Sequence, residues 1–172
     1  MRKLNKRGPT MTIKPGDKLP DATLMHLTDA GPAPISTEEL FGGKTVALFA
    51  VPGAFTPTCS NQHLPGFIEK SEELRAAGVD TIVCMSVNDA FVMGAWGQQQ
   101  GATGKVMMVG DGNAELTQKM GLSVDSSGFG MGTRSVRFSM IVRDGVLETL
   151  NIEQNPGQAV DSGAENLLSQ LG

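Results

Sequence analysis

The 172-residue sequence predicts an α/β fold, a central mixed β-sheet flanked by helices, and three observations carry that expectation. Apolar runs of strand length alternate with helical patterns from residue 44 to residue 120, which suits parallel strands joined by helical crossovers. Two later β-rich runs flank Asp144-Gly145, a hairpin signal, so part of the sheet must be antiparallel. A helical pattern over residues 164–171 closes the series.

Taken in order, residues up to about 42 are rich in Gly, Pro and Asp and read as irregular. Residues 44–51 are apolar, with the length and composition of a buried strand. A helical segment over 57–77 puts Leu64, Phe67, Ile68 and Leu74 on one buried face, and Gly78 ends it. Pro65 removes one helix hydrogen bond and should kink it. Residues 79–86 read as a second buried strand, and Asp89 caps a helix running to about 100. A third strand over 105–109 is followed by a short helix over 113–120, and the runs 137–143 and 146–151 form the hairpin.

With 40% hydrophobic residues, the chain has enough apolar side chains for one compact domain over residues 12–172. Residues 1–11 are basic and lack an apolar signal core, and read as a flexible, solvated arm rather than a secretory signal or an organellar targeting segment. No apolar run is long enough to span a membrane. A net charge of −4 argues against a nucleic-acid partner and makes small-molecule chemistry the default. Two cysteines and two histidines form neither a CxxC pair nor a metal cluster, so no metal or other cofactor is expected, and a reduced, cytoplasmic setting is.

Cys59 ends the run Pro52-Gly53-Ala54-Phe55-Thr56-Pro57-Thr58-Cys59, between the strand over 44–51 and the following helix. Pro57 has a fixed φ and no N–H and fits the first helical position, which makes Thr56 the N-cap and places Cys59 in the first turn. The positive end of the helix there favours a thiolate over a thiol. A lone cysteine commonly does no more than pack, but a Thr cap, a Pro start and a first-turn Cys together point to a reactive thiol. In α/β sheets chemistry gathers at the carboxyl ends of strands, where this cysteine lies. A thiolate attacking a peroxide needs donors aimed at the oxygen on which charge develops. The first-turn N–H groups, the Thr56 hydroxyl and an arginine are candidates, and spacing alone singles out no arginine.

The Pro52-to-Ser60 run, with His63-Leu64-Pro65-Gly66-Phe67 behind it, closely resembles the active-site segment of peroxiredoxins of the peroxiredoxin-5-like branch. The stretches Ser86-Val87-Asn88-Asp89-Ala90-Phe91-Val92 and Arg137-Phe138-Ser139-Met140-Ile141-Val142 and the region of Trp96 match as well, and the resemblance covers about residues 12–171. It implies a thioredoxin-like fold, reduction of hydrogen peroxide and organic hydroperoxides, and a homodimer. By the same resemblance Cys59 is the peroxidatic cysteine that becomes a sulfenic acid. Thr56 hydrogen-bonds the thiolate and the peroxide, Pro52 shields the site from water, and Arg137 holds the thiolate charged. Arg134 is the rival arginine, expected to be a loop charge in solvent.

The sequence departs from some members of that branch in one respect. The stretch 155–163, where they carry a resolving cysteine, has none, and Asp161 stands about in its place. Cys84 lies in the apolar strand over 79–86 and is expected in the core. The resemblance therefore implies a one-cysteine mechanism in which glutathione, glutaredoxin or thioredoxin captures the sulfenic acid. His63, four residues past Cys59, is expected to be a hydrogen-bonded structural histidine, and Trp96 and the ten Met are expected to pack. A thiol–disulfide oxidoreductase is disfavoured by the missing CxxC. A non-catalytic redox sensor or partner-binding module that signals through Cys59 oxidation remains the alternative.

Overall fold

The computed structural model describes residues 12–155 and 157–171, so the expected arm over 1–11 lies outside the described residues. Its centre is a seven-stranded mixed sheet in the order β2-β1-β5-β4-β3-β8-β9. The strands are β1 (Thr23–Thr28), β2 (Gly31–Ser36), β3 (Thr45–Ala50), β4 (Thr81–Ser86), β5 (Met107–Gly110), β8 (Phe138–Arg143) and β9 (Val146–Ile152). A separate two-stranded sheet pairs β6 (Ser123–Asp125) with β7 (Thr133–Ser135). Strands β3, β4 and β5 run parallel, whereas β8 is antiparallel to β3 and β9 to β8, so the sheet is mixed as the sequence predicts.

The central strands are apolar on both faces because both faces are covered. On one face Leu48, Val83, Met85 and Met140 join Leu24, Phe41 and Leu116 in a buried cluster. On the other, Phe49, Ile82, Cys84 and Ile141 join Cys59, Phe67, Trp96 and Leu167. Helix α4 (Ala90–Gln100) begins, as expected, at Asp89, whose side chain accepts the Val92 N–H. Asp144 and Gly145 both have positive φ, 47° and 76°, as a two-residue type I′ turn requires, and they join β8 to β9. Among the described residues no helix is long and apolar enough to cross a membrane.

Three expectations need correction. Residues 23–41, read as irregular, form the β1–β2 hairpin and helix α1 (Thr37–Phe41). The two prolines of β2, Pro32 and Pro34, misled that reading, but β2 is an edge strand and can leave one hydrogen-bonding side unpaired. The segment 57–77 is not one helix kinked at Pro65: it has a π-turn over Cys59–His63, helix α2 (Leu64–Glu69) and helix α3 (Ser71–Ala76), with the break at Lys70. Leu64 N–H reaches back five residues to Cys59 O, inserting one residue into the turn that holds the cysteine. The stretch 121–136, for which no element was expected, holds β6 and β7 with a 3₁₀ turn between them. Helices α5 (Glu115–Lys119) and α6 (Ala164–Ser169) fall within the predicted spans.

Register explains how distant residues reach Cys59. At the carboxyl end of β3 Ala50 pairs with Phe138, the first residue of β8, so Arg137 arrives where the chain leaves β3 for the π-turn. On the far side of β8, Phe138 pairs with Ile152 and brings Glu153 alongside Arg137, whose carbonyl accepts the Glu153 N–H at 2.9 Å.

Candidate active site

The loop between β3 and the π-turn is held from several sides. Asn88 Oδ1 accepts the Ala54 N–H at 3.0 Å and the Ser86 hydroxyl at 2.7 Å. Phe55 adopts φ 65°, uncommon for a side chain of its size. At Gly53 an added Cβ would stand 3.1 Å from Met131 Cε and 3.2 Å from Thr56 Cγ2, so the loop leaves little room for a side chain there. Past the loop, Trp96 is fully buried as expected, and its Nε1–H donates to Ser60 Oγ at 3.1 Å, tying the π-turn to α4.

Cys59 is fully buried, with its Sγ between two polar groups. Thr56 Oγ1 is 2.8 Å from Sγ and 2.7 Å from Gly53 O. The hydroxyl has one proton, so it can donate to Gly53 while accepting from a thiol, or turn that proton toward a thiolate. Thr56 is thus an N-cap by its backbone, since its carbonyl accepts the Ser60 N–H at 2.9 Å, while its side chain serves the sulfur. Arg137 Nη2 also donates to Sγ, at 3.1 Å.

Arg137 is 4% exposed, and its other terminal nitrogen donates to His63 Nδ1 at 3.0 Å. His63 Nε2 donates in turn to Ser162 O at 2.8 Å, which fixes the tautomer that leaves Nδ1 an acceptor. Burial and the neighbouring Arg137 charge push the His63 pKa down to about 3, so the ring is neutral at ordinary pH. The arginine is therefore held on that side by an uncharged partner. His63 is the hydrogen-bonded structural histidine the sequence led us to expect, packed against Phe49 at 4.8 Å and Phe67 at 5.7 Å between ring centroids.

Among the described residues, Arg137 Nε is the one buried side-chain nitrogen or oxygen without a hydrogen-bond partner. Arg137 lines a cavity of about 520 Å³ together with Pro52, Thr56 and Glu153, and Val124, Phe129 and Met131 supply apolar wall. Of the four residues singled out from the sequence, Thr56 and Arg137 both reach Cys59, and Pro52 stands at the cavity. Arg134 is not a solvated loop charge: it is half-buried, and it donates to Met131 O at 2.8 Å and Val87 O at 3.2 Å. It braces the loops around the cavity and makes no hydrogen bond to Cys59.

A buried thiol held between a hydroxyl and an arginine that both line a cavity is an arrangement suited to a thiolate meeting an oxygen substrate. The comparisons agree. Residues 14–168 match the redoxin family. The chain is 46% identical over 166 residues to chloroplastic peroxiredoxin-2E of Arabidopsis thaliana, covering 94% of this chain and 70% of the relative. This chain is a peroxiredoxin of the redoxin family. Its fold is thioredoxin-like, as in the crystal structure of reduced Prx3 from Vibrio vulnificus in complex with H₂O₂, which has a TM-score of 0.89 and 50% identity and covers 94% of this chain and all of that one. The 1-Cys peroxiredoxin of Plasmodium falciparum is more distant, with a TM-score of 0.84 and 30% identity over 92% of this chain and 98% of that one. Like its relatives, this peroxiredoxin is a thiol peroxidase, an oxidoreductase that consumes peroxide at the expense of thiols.

Sequence reasoning missed Glu153 and Ser162. Both are buried and both join the network behind Arg137, yet neither lies in a spacing pattern with Cys59. An acid directly after strand β9 is too common a feature to single out Glu153.

Proposed function

We propose that this peroxiredoxin works by a one-cysteine mechanism, with Cys59 as its peroxidatic residue and an external thiol as its reductant. The observation that carries the reading is the placement of Cys59 Sγ 2.8 Å from Thr56 Oγ1 and 3.1 Å from Arg137 Nη2, with Thr56 and Arg137 both lining a cavity. The Cys59 thiolate attacks one peroxide oxygen, the S–O bond forms as the O–O bond breaks, and the departing alkoxide or hydroxide takes up a proton. Arg137 and Thr56 donate hydrogen bonds to the sulfur and to the oxygen on which charge grows, in a site that Pro52 helps keep dry. Cys59 is left as a sulfenic acid. Hydrogen peroxide and organic hydroperoxides are the substrates.

An external thiol then attacks the sulfenic sulfur, water leaves, and a second thiol releases the mixed disulfide. Glutathione with glutaredoxin, or thioredoxin, fills that role. In support, Cys84 is fully buried in the middle of β4, and the segment 155–163 contains no cysteine. We further read residues 12–172 as one domain, because both apolar clusters share one sheet, and the working unit as a homodimer. Two free thiols suit a reducing compartment, which we take to be the cytoplasm, although the Arabidopsis relative is named as chloroplastic.

Peroxide consumption measured in parallel with glutathione plus glutaredoxin and with thioredoxin tests the mechanism. Sustained turnover with at least one system is expected, with Cys59 appearing as a mixed disulfide when glutathione alone is added to the oxidised protein. Consumption that stops at one equivalent of peroxide under both systems would replace the enzyme by a sensor.

A further inference from the structure

Glu153 is 8% exposed, and its carboxylate makes no salt bridge among the described residues. It accepts instead from Val160 N at 2.6 Å, Asp161 N at 3.2 Å, Ser162 N at 3.2 Å and Ser162 Oγ at 3.0 Å. Burial raises its pKa, but the donors from Ser162, Asp161 and Val160 together outweigh that and hold it below the usual carboxylate value. A charged carboxylate thus gathers three consecutive backbone N–H groups of the loop before α6. That loop presents Ser162 O to His63 Nε2, and His63 Nδ1 in turn accepts a hydrogen bond from Arg137 Nη1. The same guanidinium reaches Cys59 Sγ with its other terminal nitrogen.

We propose that Glu153 is a positioning residue for the peroxide step, acting through the 160–162 loop, Ser162 O and His63 to hold the Arg137 guanidinium against Cys59. The geometry supports this beyond simple loop anchoring. An imidazole can rotate and can exchange tautomers, and a fixed carbonyl at Nε2 removes both freedoms. Arg137 then has one orientation in which Nη1 meets Nδ1, and that orientation aims Nη2 at the sulfur. Ser162 is fully buried, so no solvent replaces its carbonyl if the loop shifts. The proposal rests on the reading of Cys59 as the peroxidatic residue.

Glu153→Gln keeps the side-chain shape but turns an amide N–H₂ toward the loop donors. It should move the midpoint of pH-dependent Cys59 alkylation upward by up to about one unit and slow the second-order reaction with hydrogen peroxide by up to about tenfold, one unit being a tenfold change. In a His63→Phe background, which keeps ring packing but removes both nitrogens, Glu153→Gln should add less than about twofold, because the path is already cut. An unchanged midpoint, with or without a loss of thermal stability, would reduce Glu153 to a structural anchor and overturn the proposal. An undiminished effect in the His63→Phe background would do the same. If Glu153→Gln fails to fold, Ser162→Ala, which removes one hydroxyl donor, must shift the midpoint in the same direction by a smaller amount; no shift there refutes the relay. Alkylation needs no peroxide, so a wild-type protein that fails to consume peroxide would sink the functional reading while the alkylation arm still decides on Glu153.

Discussion

Cys59 and Cys84 are both fully buried and belong to the same apolar cluster, yet they stand in opposite chemical situations. Cys84 lies inside β4 between Phe49 of β3 and Met108 of β5, where the backbone polar groups are taken by the strand ladders. No side-chain donor faces it among the described residues, and burial pushes its thiol well above the usual range. Cys59 lies one loop beyond β3, where the sheet has ended and a π-turn begins, and a hydroxyl and a guanidinium converge on its sulfur. Exposure therefore does not distinguish the two thiols of this chain. Fixed hydrogen-bond donors do, and they are available only where the strand ladders stop.

Removing each sulfur in turn tests that contrast most severely. Cys59→Ser should lower peroxide turnover by at least about a thousandfold, since a serine hydroxyl is neither ionised nor comparably nucleophilic near neutral pH. Cys84→Ala should leave turnover within about twofold while lowering stability by about 1 kcal/mol through lost packing. Turnover lost with Cys84 and kept without Cys59 would invert the assignment. Peptide mapping after peroxide treatment should show oxygen on Cys59 and no Cys59–Cys84 disulfide.

The two arginines near the cavity sharpen the comparison at the next level. Arg137→Ala removes the donor to Sγ and should slow the peroxide reaction by roughly a hundredfold, the usual effect of deleting one oxyanion donor, while moving Cys59 alkylation to higher pH. Arg134 bonds the carbonyls of Met131 and Val87, so Arg134→Ala should slow the reaction by less than about tenfold and act through loop order. Stopped-flow peroxide kinetics and pH-dependent alkylation on both variants decide it: the reverse order would transfer the role to Arg134.

A smaller and separate effect concerns acid stability. The His63 pKa falls from 6.5 to about 3 on folding, so between those values the unfolded chain binds a proton that the folded chain excludes. Stability should therefore decline as pH is lowered from about 6.5 toward 3, by up to about 1.4 kcal/mol per pH unit from this residue. His63→Gln, which offers an acceptor to Arg137 and a donor to Ser162 on one amide, should flatten that part of the urea-melt profile. An equally steep acid limb in the variant would show that other groups control it.

The sequence by itself determined the mixed α/β sheet, the hairpin at Asp144-Gly145, the start of α4 at Asp89 and the place of Cys59 after β3. Each of these follows from local chemistry: apolar periodicity, the positive φ a tight turn requires, a carboxylate that caps N–H groups, and a Thr-Pro-x-Cys run at a strand end. The same local reading failed on β2, whose prolines are tolerated because the strand forms an edge, and on the helix after Cys59, whose π-turn and break at Lys70 no residue pattern announced. The choice of Arg137 over Arg134 had to come from family resemblance, because a separation of three residues carries no information about which guanidinium faces a sulfur 78 positions away. Tertiary structure decides it through strand register: Ala50 pairs with Phe138, which brings the preceding residue to the end of β3, while Arg134 remains in β7, outside the main sheet. Glu153 and Ser162 were invisible for the same reason. Their partners lie on other elements, and hydrogen bonds that close across the sheet leave no period in the chain.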